Sequence, residues 1–197
     1  MLKLITKLSI PLLASLCFNQ TGYAETIPEK KEAAIAVHIA SVHYKHPTIL
    51  FFPYVTIWQM QGPLVEEVAM SSLTSIFSHV SECNTDAANN ANFVMLLKPH
   101  LFYNPQSGIY YAKLTASVYG AENQIITSVT KEATVVGPVN ISPEFYTKKA
   151  YTKAMNTIIN ALNTDQAFQS ALTTKTVLNS DQICKHLDNM PTNRFYY

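Results

Sequence analysis

The chain has 197 residues, 14 basic and 13 acidic side chains, and charged residues at only 14% of positions, against about 25% in an average globular protein. A near-neutral balance without a basic patch or stripe excludes the electrostatic footprint of a nucleic-acid binder. The five glycines form neither GxGxxG nor a Walker loop, which excludes a glycine-rich phosphate cradle. The length fits one domain around one core.

Lys3 and Lys7 are the only charges before Glu25, and they flank the start of the apolar run Leu8–Phe18. A bilayer-spanning helix needs about 20 apolar residues. This shorter run fits the apolar region of a secretory signal peptide, and Ala24, closing Gly22-Tyr23-Ala24, is the expected cleavage point. Residues 1–24 are therefore predicted to direct export to the periplasm or beyond. Cys17 raises the alternative of a lipid anchor, but Leu16 stands where a lipobox wants a small residue. No later segment is long and apolar enough to span a bilayer, and without Lys3 and Lys7 the remainder carries 12 basic and 13 acidic side chains.

Residues 25–32 (ETIPEKKE) read as a flexible, charged lead-in to a single domain over 33–190. Ile35, Val37 and Ile39 alternate with Ala36, His38 and Ala40, the pattern of a half-buried strand within Ala33–Tyr44. Thr48–Trp58, rich in β-branched and aromatic residues, predicts a second extended stretch, with Pro53 at an edge or bulge. Gly62-Pro63 opens a helix expected to reach about Glu82. Its stripe is Val65, Val68, Ala69, Leu73, Ile76, Phe77 and Val80, and Glu66-Glu67 lie in its early turns.

After the polar loop 84–92, Phe93–Leu97 is a continuous apolar run, interrupted beyond it by Pro99. Tyr110, Ala112, Leu114, Ala116 and Val118 alternate with Tyr111, Lys113, Thr115, Ser117 and Tyr119, a strand with one wet face. The loop Gly120–Asn123 returns it as an antiparallel partner over Gln124–Val136. Ser142-Pro143-Glu144 has helix-start chemistry, and Tyr151, Met155, Ile158, Ile159 and Leu162 supply that helix's stripe. Asp165–Thr174 adds a further helical turn or two, Cys184 sits in a short helix, and 191–197 reads as a loose tail. The order predicts an α+β two-layer sandwich: an antiparallel sheet of about four to five strands with two long helices on one face.

Cys83 and Cys184 survive cleavage. In an oxidising compartment an isolated pair reads as one disulfide, and two separately buried thiols are the alternative. There is no CxxC, and neither GxSxG nor HExxH occurs. His38, His43 and His46 cluster in sequence, yet on one continuous strand His38 and His43 face oppositely. His38 and His46 share a face but stand about 26 Å apart at roughly 3.3 Å per residue. Partly exposed strand histidines are expected, with no metal site and no cofactor. His79 is expected at a helix C-terminus, where the dipole welcomes a cation. His100 and His186 have no nucleophile motif around them, and Glu66-Glu67 read as a solvated helix face. No catalytic residue is assigned. Tyr103, Tyr110, Tyr111 and Tyr119 gather on the central strands, where aromatics form either a contact surface or ordinary strand packing.

The segment ANFVMLLKPHLFYNPQSGIYYAKLTASVYGAENQIITSVTKEATV and the helix YTKKAYTKAMNTIINALNTDQAFQ resemble a pattern in small Gram-negative envelope proteins. Trp58 followed by GPLVEEVAMSSLTSIFSHV is similar to the first helix of the ABC-type transport auxiliary lipoproteins, and the small lipoprotein of lipopolysaccharide transport shares this β-α-β-β-α plan. The resemblance spans residues 48–172 in architecture and implies a non-catalytic accessory role in envelope assembly or transport, with another envelope protein as partner. No functional residue carries over. A small-ligand or lipid carrier, and an enzyme without a recognisable motif, are the alternatives.

Overall fold

A computed structural model describes residues 30–52, 55–84, 90–174 and 179–191. The expected signal peptide with its cut after Ala24, Cys17, residues 25–29 of the lead-in, Pro53 and the tail 192–197 lie outside these residues.

The chain begins with β1 (Lys31–Ile39), whose alternation gives it two buried faces, and turns through the short helix α1 (Val42–Lys45). A hairpin of β2 (Thr48–Phe52) and β3 (Val55–Gln59) forms a separate two-stranded sheet. Helix α2 spans Gln61–Thr74, and the expected extension to Glu82 does not occur. Residues Phe77–Glu82 instead form β4, paired parallel to β1 with Val37 opposite Glu82. Phe77 and Val80 fit a helical stripe and a strand equally well. Pairing to a strand about 40 residues earlier decides between them, and local periodicity carries no record of it. His79 is therefore an exposed strand residue rather than a cation at a helix terminus.

Strand β5 (Phe93–Asn104) runs parallel to β1 and antiparallel to β6 (Ile109–Tyr119), which pairs in turn with β7 (Ile125–Val136). Asn104 opens the β5–β6 turn by accepting from the Gln106 backbone, and Gly108 closes it at φ 64°, a backbone conformation open to glycine at no steric cost. The sheet order is β4-β1-β5-β6-β7. The fold is α+β with an open five-stranded sheet. Its β5–β6–β7 meander is antiparallel, whereas β1 lies parallel to both neighbours, so the sheet is mixed.

Helix α3 (Pro143–Thr164) starts as its sequence predicts, with Pro143 in its first turn after a left-handed Ser142 at φ 47°. With α2 it covers one face of the sheet. Ile35, Val37, Met95, Leu97, Leu114 and Ala116 from the strands meet Val65, Leu73, Met155 and Ile158, all at most 3% exposed. The Asp165 carboxylate accepts from the Phe168 backbone N–H at 2.7 Å and from the Thr127 hydroxyl at 2.8 Å, capping α4 (Gln166–Thr174) and tying it to β7. These bonds, the Phe168 amide first, hold the carboxyl below its ordinary pKa. Phe168 then packs edge-on against Phe77 and Phe93, with ring centroids 6.4 and 5.5 Å away.

The opposite face is covered only in part. Helix α5 (Ser180–Asp188) lays Ile183, Cys184 and Leu187 on Ala36, Ala40, Val94, Leu96 and Tyr119. Small alanines on β1 leave room for this approach. Cys83, just past β4, is disulfide-bonded to Cys184 across 101 residues of sequence, which is compatible with a periplasmic or secreted protein. Among the described residues no helix is long and apolar enough to cross a membrane.

Candidate functional site

Two places on the molecule gather unspent chemistry. The first is a cleft of about 310 Å³ outside the carboxyl ends of the parallel strands β1 and β4, lined by His38, Tyr44, Glu66, Glu82, Asn84 and Asp188 among others. Clefts at the carboxyl ends of parallel strands recur as ligand sites in open α/β sheets. Here local sequence builds the wall. A Cβ on Gly62 would come within 2.8 Å of the Tyr44 ring, so only glycine lets the ring of α1 lie flat on the first turn of α2. From that position the Tyr44 hydroxyl donates to the carboxylate of Glu66, one helical turn beyond Gly62. Burial first, then the Glu66 bond and charge, drives the Tyr44 pKa far above its ordinary value. It is a locked donor.

Val37 belongs to the core beneath α2 and α3, and its register partner Glu82 points to the same side. There Glu82 meets Glu66. Burial first, and then the neighbouring Glu66 carboxylate, raise the Glu82 pKa. A carboxylate beside it disfavours ionisation of Glu82. Glu66 is thus not the solvated-face residue expected of a Glu-Glu step. Its neighbour Glu67 is, pairing with Lys148 at 2.6 Å on the surface.

His38 reaches the cleft from the other side of the sheet. It is 4% exposed, and its Nε2 has no hydrogen-bond partner; the Asp188 carboxylate of α5 stands 3.7 Å away, beyond hydrogen-bond reach. Desolvation lowers the His38 pKa, and Asp188 only partly opposes that. His43 is buried as well, which lowers its pKa to about 4. The expectation of partly exposed strand histidines fails for both: His38 lies beneath α5 and His43 sits in the helical turn α1. Only His46 of the three is exposed. Among the described residues no three His, Cys, Asp or Glu side chains come together as a metal-holding group.

The second place is apolar. Ile49 and Phe51 share one face of β2, and Trp58 pairs opposite Ile49 on β3; all three are at least half exposed, Trp58 at 63%. Trp58 and Ile57 line one side of a groove of about 520 Å³, and Pro143, Phe145 and Lys148 at the start of α3 line the other. Lys148 bridges Glu67 and Glu144, at 2.6 and 3.1 Å, along its border. Beneath, a chain of hydrogen bonds fixes the hairpin to the helices: Tyr151 of α3 donates to the Gln61 side-chain carbonyl, and the Gln61 side-chain amide donates to the Thr48 hydroxyl of β2.

Of the two readings of the central-strand tyrosines, contact surface or strand packing, packing holds for Tyr103, Tyr110 and Tyr119. Tyr103 and Tyr110 lie on the α3 side, 4.8 Å apart between ring centroids, and Tyr110 stacks on Tyr146 at 5.7 Å. Tyr119 is buried under α5. Tyr111 alone faces the open part of the sheet, beside exposed Phe102 at 5.8 Å. The parity of Tyr110 with Ala112, Leu114 and Ala116 was the signal that it points inward. Sequence reasoning also missed Tyr44, Glu82 and Asp188, which only the β1–β4 pairing and the disulfide bring together with Glu66 and His38.

No family model matches the chain, and no curated protein does either. Among solved structures, a Xanthomonas campestris protein with the family model DUF330 is similar at 10% identity with a TM-score of 0.44. The match covers 80% of this chain and 91% of that one, a resemblance at the level of architecture.

Proposed function

We propose that this chain is an exported, non-catalytic accessory protein of the cell envelope that docks another envelope protein through the groove between the β2–β3 hairpin and the start of α3. The observation that carries this reading is the exposed set Ile49, Phe51, Trp58 and Phe145. Large rings held at the surface by a fixed hairpin are the usual anchors of interfaces, and the Glu67–Lys148–Glu144 network supplies the polar rim that surrounds such anchors. That rim balances acids against the lysine, which suits a protein surface better than anionic lipid. Carriage of a lipid between sheet and helices is less well supported, because side chains fill that space.

A photo-crosslinking residue placed at Trp58 or Phe145, in the full chain expressed in its own envelope, tests the reading. The expected result is the same envelope protein joined at both positions, with no adduct from a control at Lys113 on the open sheet. Trp58→Asp should abolish the adduct formed from position 145. Adducts no stronger than the control, or adducts only with a second copy of this chain, would overturn it.

A further inference from the structure

The cleft at the end of β1 and β4 is independent of the docking groove, and its chemistry points elsewhere. Among the described residues its titratable lining is three carboxylates, one tyrosine hydroxyl and one imidazole, with no lysine or arginine. These groups form two separate acceptor sets. Glu66 and Glu82, with the Tyr44 hydroxyl, stand on the α2 side. His38 Nε2 and Asp188 stand on the α5 side. Residues 37–39 of β1 lie between the sets in the cleft wall. We propose that the cleft binds a small organic dication of the α,ω-diamine class, one ammonium at each acceptor set.

Three features select that chemistry. The buried Nε2 of a neutral imidazole accepts a hydrogen bond, and so does Asp188. An N–H donor with several hydrogens satisfies both once the exposed Asp188 side chain turns aside to admit it. Glu66 and Glu82 bring two carboxylates to one side of the cleft, beside the Tyr44 hydroxyl. An ammonium supplies a positive charge there with three directed donors. A divalent metal lacks the set of three ligands it needs among the described residues. The volume, at the lower end of ligand pockets, matches a short diamine rather than a drug-sized molecule.

Calorimetric titration of the purified full-length mature chain with putrescine, at low salt and near-neutral pH, tests this. Saturable one-to-one binding is expected, with n-butylamine and calcium each binding at least ~10-fold more weakly. Glu82→Gln and Asp188→Asn should each weaken putrescine by roughly 10-fold, the loss of one charge-assisted contact. Asp188 is exposed, so its variant reports on binding without threatening the fold, and near-ultraviolet circular dichroism checks the Glu82 variant. No saturable binding, n-butylamine equal to putrescine, calcium tighter than putrescine, or variants that bind unchanged would each overturn the proposal.

Discussion

The two faces of the five-stranded sheet are held by different means. Beneath α2, α3 and α4 the strands meet three helices through thirty buried apolar side chains, with aromatic edges such as Phe168 on Phe93. Among the described residues the other face buries only ten, and a covalent bond fastens the one helix on it, α5. Where α5 ends, that face turns to cross-strand polar pairs: Lys113 with Glu132 at 3.5 Å, Thr115 with Thr130 at 2.8 Å and Ser117 with Ser128 at 2.9 Å. One face is stable because it is large. The other is stable because it is tied.

The largest effect should come from the large face. Phe168→Ala removes a fully buried ring from between Phe77 and Phe93 and should cost about 3–5 kcal/mol in urea unfolding. Replacing both Cys83 and Cys184 by serine should cost about 2–4 kcal/mol. The two losses should differ in kind. By hydrogen exchange, the amides of α5 should open early in the serine variant while β5, β6 and β7 keep their protection. Equal loosening of every strand would break the distinction between the faces.

A smaller effect belongs to α1, the turn that joins β1 to the hairpin. Burial holds His43 at about 4 against an ordinary 6.5, so between those values the unfolded chain takes up a proton that the folded chain refuses. Stability is therefore full above about pH 6.5 and falls toward pH 4, by about 1–3 kcal/mol. His38 acts in the same sense. Glu82, whose pKa is raised, acts oppositely and gains stability as the pH falls. Melting temperatures of His43→Gln across this range should show a flatter profile than the parent. Least of all, Thr115→Ala with Thr130→Ala on the open face should stay within about 0.5 kcal/mol of the parent in the same urea assay.

The tied face was the harder one to read from sequence. Alternation through Tyr110–Tyr119 and the return over Ile125–Val136 were legible because a hairpin is local and its period is two. The start of α3 was legible for the same reason, since Ser142-Pro143-Glu144 signals within three residues. The end of α2 was not. Between Thr74 and Phe77 stands neither glycine nor proline, and the apolar residues beyond suit both structures, so only the long-range pairing with β1 makes them a strand. The cleft depends on that same pairing. Glu66 and Glu82 are sixteen positions apart, a separation that would hold them far from each other along an unbroken helix. The strand turn at residues 75–76 brings Glu82 back beside α2. The docking groove was half legible: the aromatic content of Thr48–Trp58 was plain, but its exposure follows from the hairpin forming a separate sheet.

The disulfide also sets an order of events in biogenesis. Cys83 leaves the ribosome 101 residues before Cys184, a delay of roughly 5–20 s at ordinary synthesis rates. For that interval one thiol waits for a partner not yet made. The face beneath α5 therefore cannot be tied until residue 184 is made, and a chain stalled or cut before it leaves Cys83 without Cys184.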